Sequence, residues 1–280
     1  METKILVGDD LVLANFSLRF ADFNDRVVAA ASAGFSGIGL YVGEFERYLA
    51  SGLSTSAMAA FAADHGIRVT ELEVLTGWAG PSADRPASRD REEQVFAMAD
   101  VFGSRHVQAI GPFAGPLEEA ADAFASMCDR AAEHGLLVGL EYLPFTNITD
   151  ARTALAIAEL ADRPNGGLCL DTWHHFRGTA DWDGLAAVPA DRVVVVQLND
   201  GPLVPESKDY YFDTLHNRMA PGEGEFDLVR FFSVLADGGV SAPLSVEVIS
   251  ARLQERPAIK VAAHLAGTTR QLLDDLRAVA

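Results

Sequence analysis

Short apolar runs recur eight times along the chain, each separated from the next by an Ala-rich segment with helical spacing, and this alternation leaves few folds open. The runs fall at 11–15, 37–41, 68–75, 105–110, 136–141, 167–171, 192–199 and 244–248. The helical segments fall at 22–33, 54–65, 88–102, 117–134, 149–161, near 183–187, 227–237 and 257–278. Several of them end in the glycine expected at a helix C-terminus, in "SAGF", "DHGI", "EHGL" and "DGGV". Strands that each follow a helix pair in parallel, and eight such units predict a single (β/α)8 TIM barrel over 1–280. An open doubly wound sheet is the competing arrangement. Against it, no G-x-G-x-x-G follows the first run, and "GFSGIG" enters the second strand, where a phosphate-binding turn is not expected. The one long irregular stretch, 200–226, follows the seventh strand and is expected to lie over the C-terminal mouth as a lid.

A chain of 280 residues, 49% hydrophobic, has the length of one barrel, which takes roughly 250 residues. Its formal net charge of −18 repels phosphate backbones and anionic lipid, so neither nucleic acid nor membrane is an expected partner. A small substrate, neutral or bridged by a cation, fits better, and a homo-oligomer is compatible with everything above. Cys128 and Cys169 read as reduced core thiols. The N-terminus carries no apolar run long enough for a signal peptide, and no segment approaches the roughly 20 apolar residues of a membrane span, so the expected location is cytoplasmic.

The stretch "GGLCLDTWHHFRG" ends an apolar strand in a carboxylate, Asp171, with His174 three residues on. Other strands end alike. The fifth ends at Glu141, the seventh reaches Gln197 before Asn199 and Asp200, and the eighth carries Glu247. The spacings from Glu141 onward are 30, 26 and 50 residues, the first two being one βα unit each and the last also holding the long loop. Each residue alone has a plain explanation, such as capping the following helix. Together they converge on one mouth, where three carboxylates repel unless a cation holds them. A divalent metal resolves the conflict.

These residues resemble the xylose isomerase-like barrels of sugar isomerases, epimerases and inosose dehydratases. The resemblance covers nearly the whole chain and rests on "GLEYLPF" around Glu141, the D-x-x-H of Asp171 and His174, "VVQLNDGP" around Gln197, "HNRMAPGEGEFDL" and "SVEVIS" around Glu247. It implies that Glu141, Asp171, Gln197 and Glu247 bind one Mn²⁺, Mg²⁺ or Co²⁺ ion, Mn²⁺ foremost, and that His174 and Arg218 contact substrate. One position departs from the pattern: most members place histidine where this chain has Gln197. An amide oxygen is a neutral ligand like imidazole but a harder donor, which tilts the site toward Mn²⁺ or Mg²⁺ and away from Zn²⁺. A Gln197 that only hydrogen-bonds substrate is the other reading.

The expected chemistry is proton abstraction next to a carbonyl, with the ion stabilising the enediolate and Glu141 and Glu247 as acid and base on opposite faces of the substrate. Isomerisation or epimerisation is the leading reading, and a metal-dependent lyase or dehydratase acting on a keto-sugar, inosose or 3-keto-glycoside is the alternative. His174 is a candidate to bind substrate or shuttle a proton, and Trp173 to wall the pocket, as Trp78 could. His175 and His106 read as structural. One of Glu71 and Glu73 should point into the barrel. An apurinic endonuclease has similar "QLND" and "DTWH" motifs, but it needs several histidines for three zinc ions, and the chain has seven in all with an adverse charge for DNA. A non-catalytic barrel with a degraded metal site is the remaining rival.

Overall fold

The computed structural model describes residues 11–79 and 85–279. Eight strands form a closed, wholly parallel barrel in sequence order: β1 (Leu11–Leu13), β2 (Gly37–Tyr41), β3 (Arg68–Leu75), β4 (His106–Ile110), β5 (Leu137–Glu141), β6 (Gly166–Asp171), β7 (Val193–Leu198) and β8 (Leu244–Val246). Closure runs through β1 and β8, with Leu11, Val12 and Leu13 opposite Leu244, Ser245 and Val246. Every residue of β6 and β7 is buried, as expected when helices cover the outer face and side chains fill the interior.

Helices lie near every expected position, from Phe23–Ala33 to Ala258–Val279, and these two pack against each other across the seam. Four more were not anticipated: Val42–Ala50, Thr172–Arg177, Tyr210–His216 and Ala251–Gln254. The last three are four to seven residues long, too short for the 3.6-residue period to stand out. Strands β1, β7 and β8 also stop short of their expected ends, so Asn199 and Glu247 sit just beyond regular strand. The expectation about the N-terminal segment concerns residues outside those described. No helix among the described residues is long and apolar enough to cross a membrane.

The segment 200–226 is not an open lid. Helix Tyr210–His216 fills its middle, and antiparallel bridges join Asp200 to Met219 and Asn217 to Ser250. Asp200 anchors it: Oδ1 accepts from the backbone N–H of Gly201 (2.8 Å) and Phe226 (3.1 Å), and Oδ2 from Gly222 and Gly224 (3.0 Å each). Gly222 has φ +82°, the left-handed backbone that lets the chain fold back onto this carboxylate.

Candidate active site

Asp171 does two jobs at the end of β6. Its Oδ1 caps helix Thr172–Arg177 by accepting from the Trp173 N–H at 2.7 Å, and also accepts from Asn199 Nδ2 at 2.8 Å. Capping leaves Oδ2 free to face the mouth, where it accepts from Arg218 Nη1 at 2.8 Å. The helix then carries His174 one turn on, with Nε2 at 3.2 Å from Glu141 Oε1 and 3.6 Å from Asp171 Oδ2. The other ring nitrogen, Nδ1, lies 2.9 Å from the Tyr210 hydroxyl and fixes the ring. Glu247 accepts from the same Arg218 Nη1 at 2.8 Å. A single guanidinium nitrogen thus bridges Asp171 and Glu247, while His174 bridges Asp171 and Glu141.

Glu141, Asp171 and His174 offer ligand atoms within 4.8 Å of one another. Gln197 lies directly across from Asp171 in the β6–β7 register. Among the described residues its Oε1 accepts from the Cys169 thiol, at 3.4 Å, and its buried Nε2 finds no partner. Burial and the neighbouring Glu141 and Asp171 push the Cys169 thiol up, so it stays a donor. Burial also raises Glu247 well above the usual carboxylate range; Arg218 opposes this, while Asp171, Glu141 and Glu71 add to it. For Arg218, burial works against the charge, but Asp171, Glu247 and Glu141 together hold it above the ordinary arginine range. The donor set fits a divalent ion: buried carboxylates crowded enough to need positive charge, and beside them an amide oxygen engaged by a weak thiol donor.

A cavity of about 200 Å³ opens at this end of the barrel, with Glu73, Gln108, Glu141, His174, Thr214, Arg218 and Glu247 as its polar lining and Phe16, Phe145, Tyr211 and Ile249 among its other walls. Trp173 is not on that lining. Its side chain is wholly buried, with Nε1 bonded to Thr214 Oγ1 at 3.0 Å and the ring under the Arg177 guanidinium, so the expectation that it walls the pocket gives way to one of support. Trp78, also buried, bonds the Ile110 carbonyl and does not line the cavity either. Arg218, expected to contact substrate, lies at the pocket, only 3% exposed and paired to Asp171 and Glu247. His106 is inside the barrel, its Nε2 3.2 Å from Glu71 Oε2, and both Glu71 and Glu73 point inward rather than one of them. Sequence reasoning missed Asn199 and Tyr210, which hold Asp171 and His174. "QLND" carried a signal for Asn199, since a polar residue two beyond a buried strand position faces the same way; nothing marked Tyr210.

A closed parallel barrel with an acid cluster and a pocket at the C-terminal mouth is the arrangement in which barrel enzymes place their chemistry. The chain belongs to the xylose isomerase-like TIM barrel family, whose model matches residues 27–272. It is 27% identical over 239 residues to a 3-dehydroshikimate dehydratase of Pseudomonas aeruginosa, which covers 83% of this chain and 37% of that protein. The chain therefore spans little more than a third of that relative's length. An inosose isomerase of Bacillus subtilis is 26% identical over 129 residues, 45% of each chain. The solved structure of the IolI protein with a bound zinc atom superposes with a TM-score of 0.87 over 95% of this chain and 99% of that one, at 18% identity, a likeness of fold.

Proposed function

We propose that this protein is a divalent-metal-dependent isomerase or epimerase of a sugar or keto-sugar, working by proton transfer at the carbon next to a carbonyl. The observation that carries the reading is the placement of Glu141 and Glu247, from β5 and the end of β8, on one small pocket with Asp171 tied between them through His174 and Arg218. Held by Glu141, Asp171, Gln197 and Glu247, a divalent ion would supply Lewis-acid stabilisation of the charge that develops on the carbonyl oxygen. Oxygen donors make Mn²⁺ the first ion to test, with Mg²⁺ and Co²⁺ next.

The chain's own groups do the rest. Glu247, raised above the usual carboxylate range by burial and by the acids around it, is placed to take and return a proton. Glu141 faces the substrate from a strand three places round the barrel and can act on the other face. His174, its Nδ1 held by Tyr210, directs Nε2 at the pocket and can bond a substrate oxygen. Arg218 offers its charge to substrate oxygens from between Asp171 and Glu247.

Dehydration is the second reading, and the longer match to the dehydratase, 83% of this chain against 45% for the inosose isomerase, favours it. The proton is then taken from the same carbon and a β-hydroxyl leaves instead of the proton returning. Incubation of Mn²⁺-supplied protein in D₂O with free ketoses, inososes, 3-keto-glycosides and 3-dehydroshikimate separates the two. Deuterium uptake at otherwise constant mass supports isomerase or epimerase, loss of water or of an aglycone supports the lyase, and neither exchange nor loss on any compound removes both.

A further inference from the structure

Diametrically across the closed barrel from β7 and β8 lie β3 and β4, and they present a second polar group of residues that the acid cluster does not use. Glu73 and Gln108 both line the pocket, and both are at most 2% exposed. Among the described residues the Gln108 Nε2 has no hydrogen-bond partner. A buried amide donor on a pocket wall with nothing to donate to is a site made for an acceptor that arrives from outside.

Glu73 is held in place from behind. Glu71, two residues earlier on the same strand and so one layer deeper, has both oxygens occupied: Oε1 accepts from Ser245 Oγ at 3.0 Å, and Oε2 lies 3.2 Å from His106 Nε2. Glu73 Oε1 accepts from the Asn15 N–H at 3.2 Å. Gly39 on β2 makes the room, since a Cβ there would stand 2.8 Å from an oxygen of each glutamate. The charged groups elsewhere on the lining are Glu141, Glu247 and one permanent cation, Arg218, whose Nη1 is already shared by two carboxylates.

We infer that Glu73 and Gln108 form a specificity subsite that binds a hydroxyl of an uncharged keto-polyol, remote from the reacting carbonyl, and that the pocket disfavours anionic substrates. This rests on the proposed reaction only for the identity of the reacting end. A hydroxyl both accepts and donates, so it satisfies the Gln108 amide and a Glu73 oxygen at once. A carboxylate or phosphate has no hydrogen for a Glu73 oxygen, and brings its charge beside two further acids of the lining, Glu141 and Glu247.

The test is equilibrium binding by calorimetry to the chain supplied with Mn²⁺, using an inosose, a free ketohexose, a deoxy-inosose lacking one remote hydroxyl, and 3-dehydroshikimate as the anionic probe. Wild type should bind an uncharged probe more tightly than the anion. Gln108→Leu should weaken that binding on the order of 10-fold and narrow the gap between inosose and its deoxy analogue. Its melting temperature should hold or rise, because an unpaired buried donor has been removed, so weaker binding cannot be ascribed to misfolding. Glu73→Gln should keep more affinity than Glu73→Leu. Wild-type affinity in Gln108→Leu, tighter binding of 3-dehydroshikimate than of every uncharged probe, or no binding of any uncharged probe overturns the subsite. Binding without α-proton exchange in D₂O would instead sink the reaction and leave the subsite standing; exchange with unchanged affinity in both leucine variants would do the reverse.

Discussion

Asp200 is the residue on which the segment after β7 depends, and its replacement tests whether that segment is held or merely rests in place. The carboxylate accepts four backbone N–H groups, of which those of Gly201 and Phe226 are buried and those of Gly222 and Gly224 are part-buried. In Asp200→Ala, water can reach the glycine pair, but the buried pair loses its acceptor. An unsatisfied buried N–H costs about 1–3 kcal/mol, so the loss should come to about 3–5 kcal/mol. Asp200→Asn keeps one oxygen for the buried pair and turns an NH₂ against Gly222 and Gly224, which should cost about 2 kcal/mol. For a chain of this size each kcal/mol lowers the melting temperature by roughly 2–4 °C, which puts Asp200→Ala on the order of 10 °C below wild type. Calorimetric melting of both variants measures this. A site effect should accompany it, since Met219 is bridged to Asp200 and Arg218 precedes it directly. A loss below about 1 kcal/mol in Asp200→Ala would refute the reasoning, because four bonds to one buried carboxylate cannot then be what fixes the loop.

Four other outcomes follow from the same structure. Asp171→Ala should abolish Mn²⁺ binding in calorimetry, while Gln197→His should still bind metal with its preference moved toward Co²⁺ or Zn²⁺; an unchanged metal ranking would place Gln197 outside the ligand set. Arg218→Ala should slow α-proton exchange by on the order of 100- to 1,000-fold while metal affinity is retained, and near-normal exchange would remove Arg218 from the reaction. His175 is packed among Phe176, Trp182 and Phe231 with its acid–base equilibrium pushed down to about 4, chiefly by burial. The unfolded chain takes up that proton near pH 6.5, so the stability His175 contributes is whole above that pH and is lost as pH falls toward 4, by up to about 3 kcal/mol. His175→Leu should flatten that part of a denaturation-versus-pH curve.

The eight strands were legible because burial on both faces makes each one a continuous apolar run, and that signal survives in a single sequence. The convergence of Glu141, Asp171 and Glu247 was legible for a related reason: polar residues that end such runs must share the one wet end of the barrel. What spacing could not carry was the pairing among them. Arg218 lies 47 residues from Asp171 and 29 from Glu247, and only the folded helix Tyr210–His216 brings it between them. The inward direction of both Glu71 and Glu73 follows from the two-residue period of a strand, yet two buried acids in succession contradict the ordinary interior, so local reasoning assigns only one of them inward.

The cluster's charge makes the case for a cation independent of any resemblance. With Glu141, Asp171 and Glu247 ionised and Arg218 protonated, the site carries a net charge of about −2 in a buried setting, a state that burial and mutual repulsion strongly oppose. The raised acidity range of Glu247 is one way the protein relieves it, by keeping a proton. One divalent ion is another, and it balances the cluster while freeing Glu247 to ionise. Metal binding should therefore release protons, on the order of one per ion, and buffers of different ionisation enthalpy would show it as a buffer-dependent heat. A heat of Mn²⁺ binding independent of buffer would mean that Glu247 is already ionised against Arg218, and that the ion–proton exchange has no place in this site.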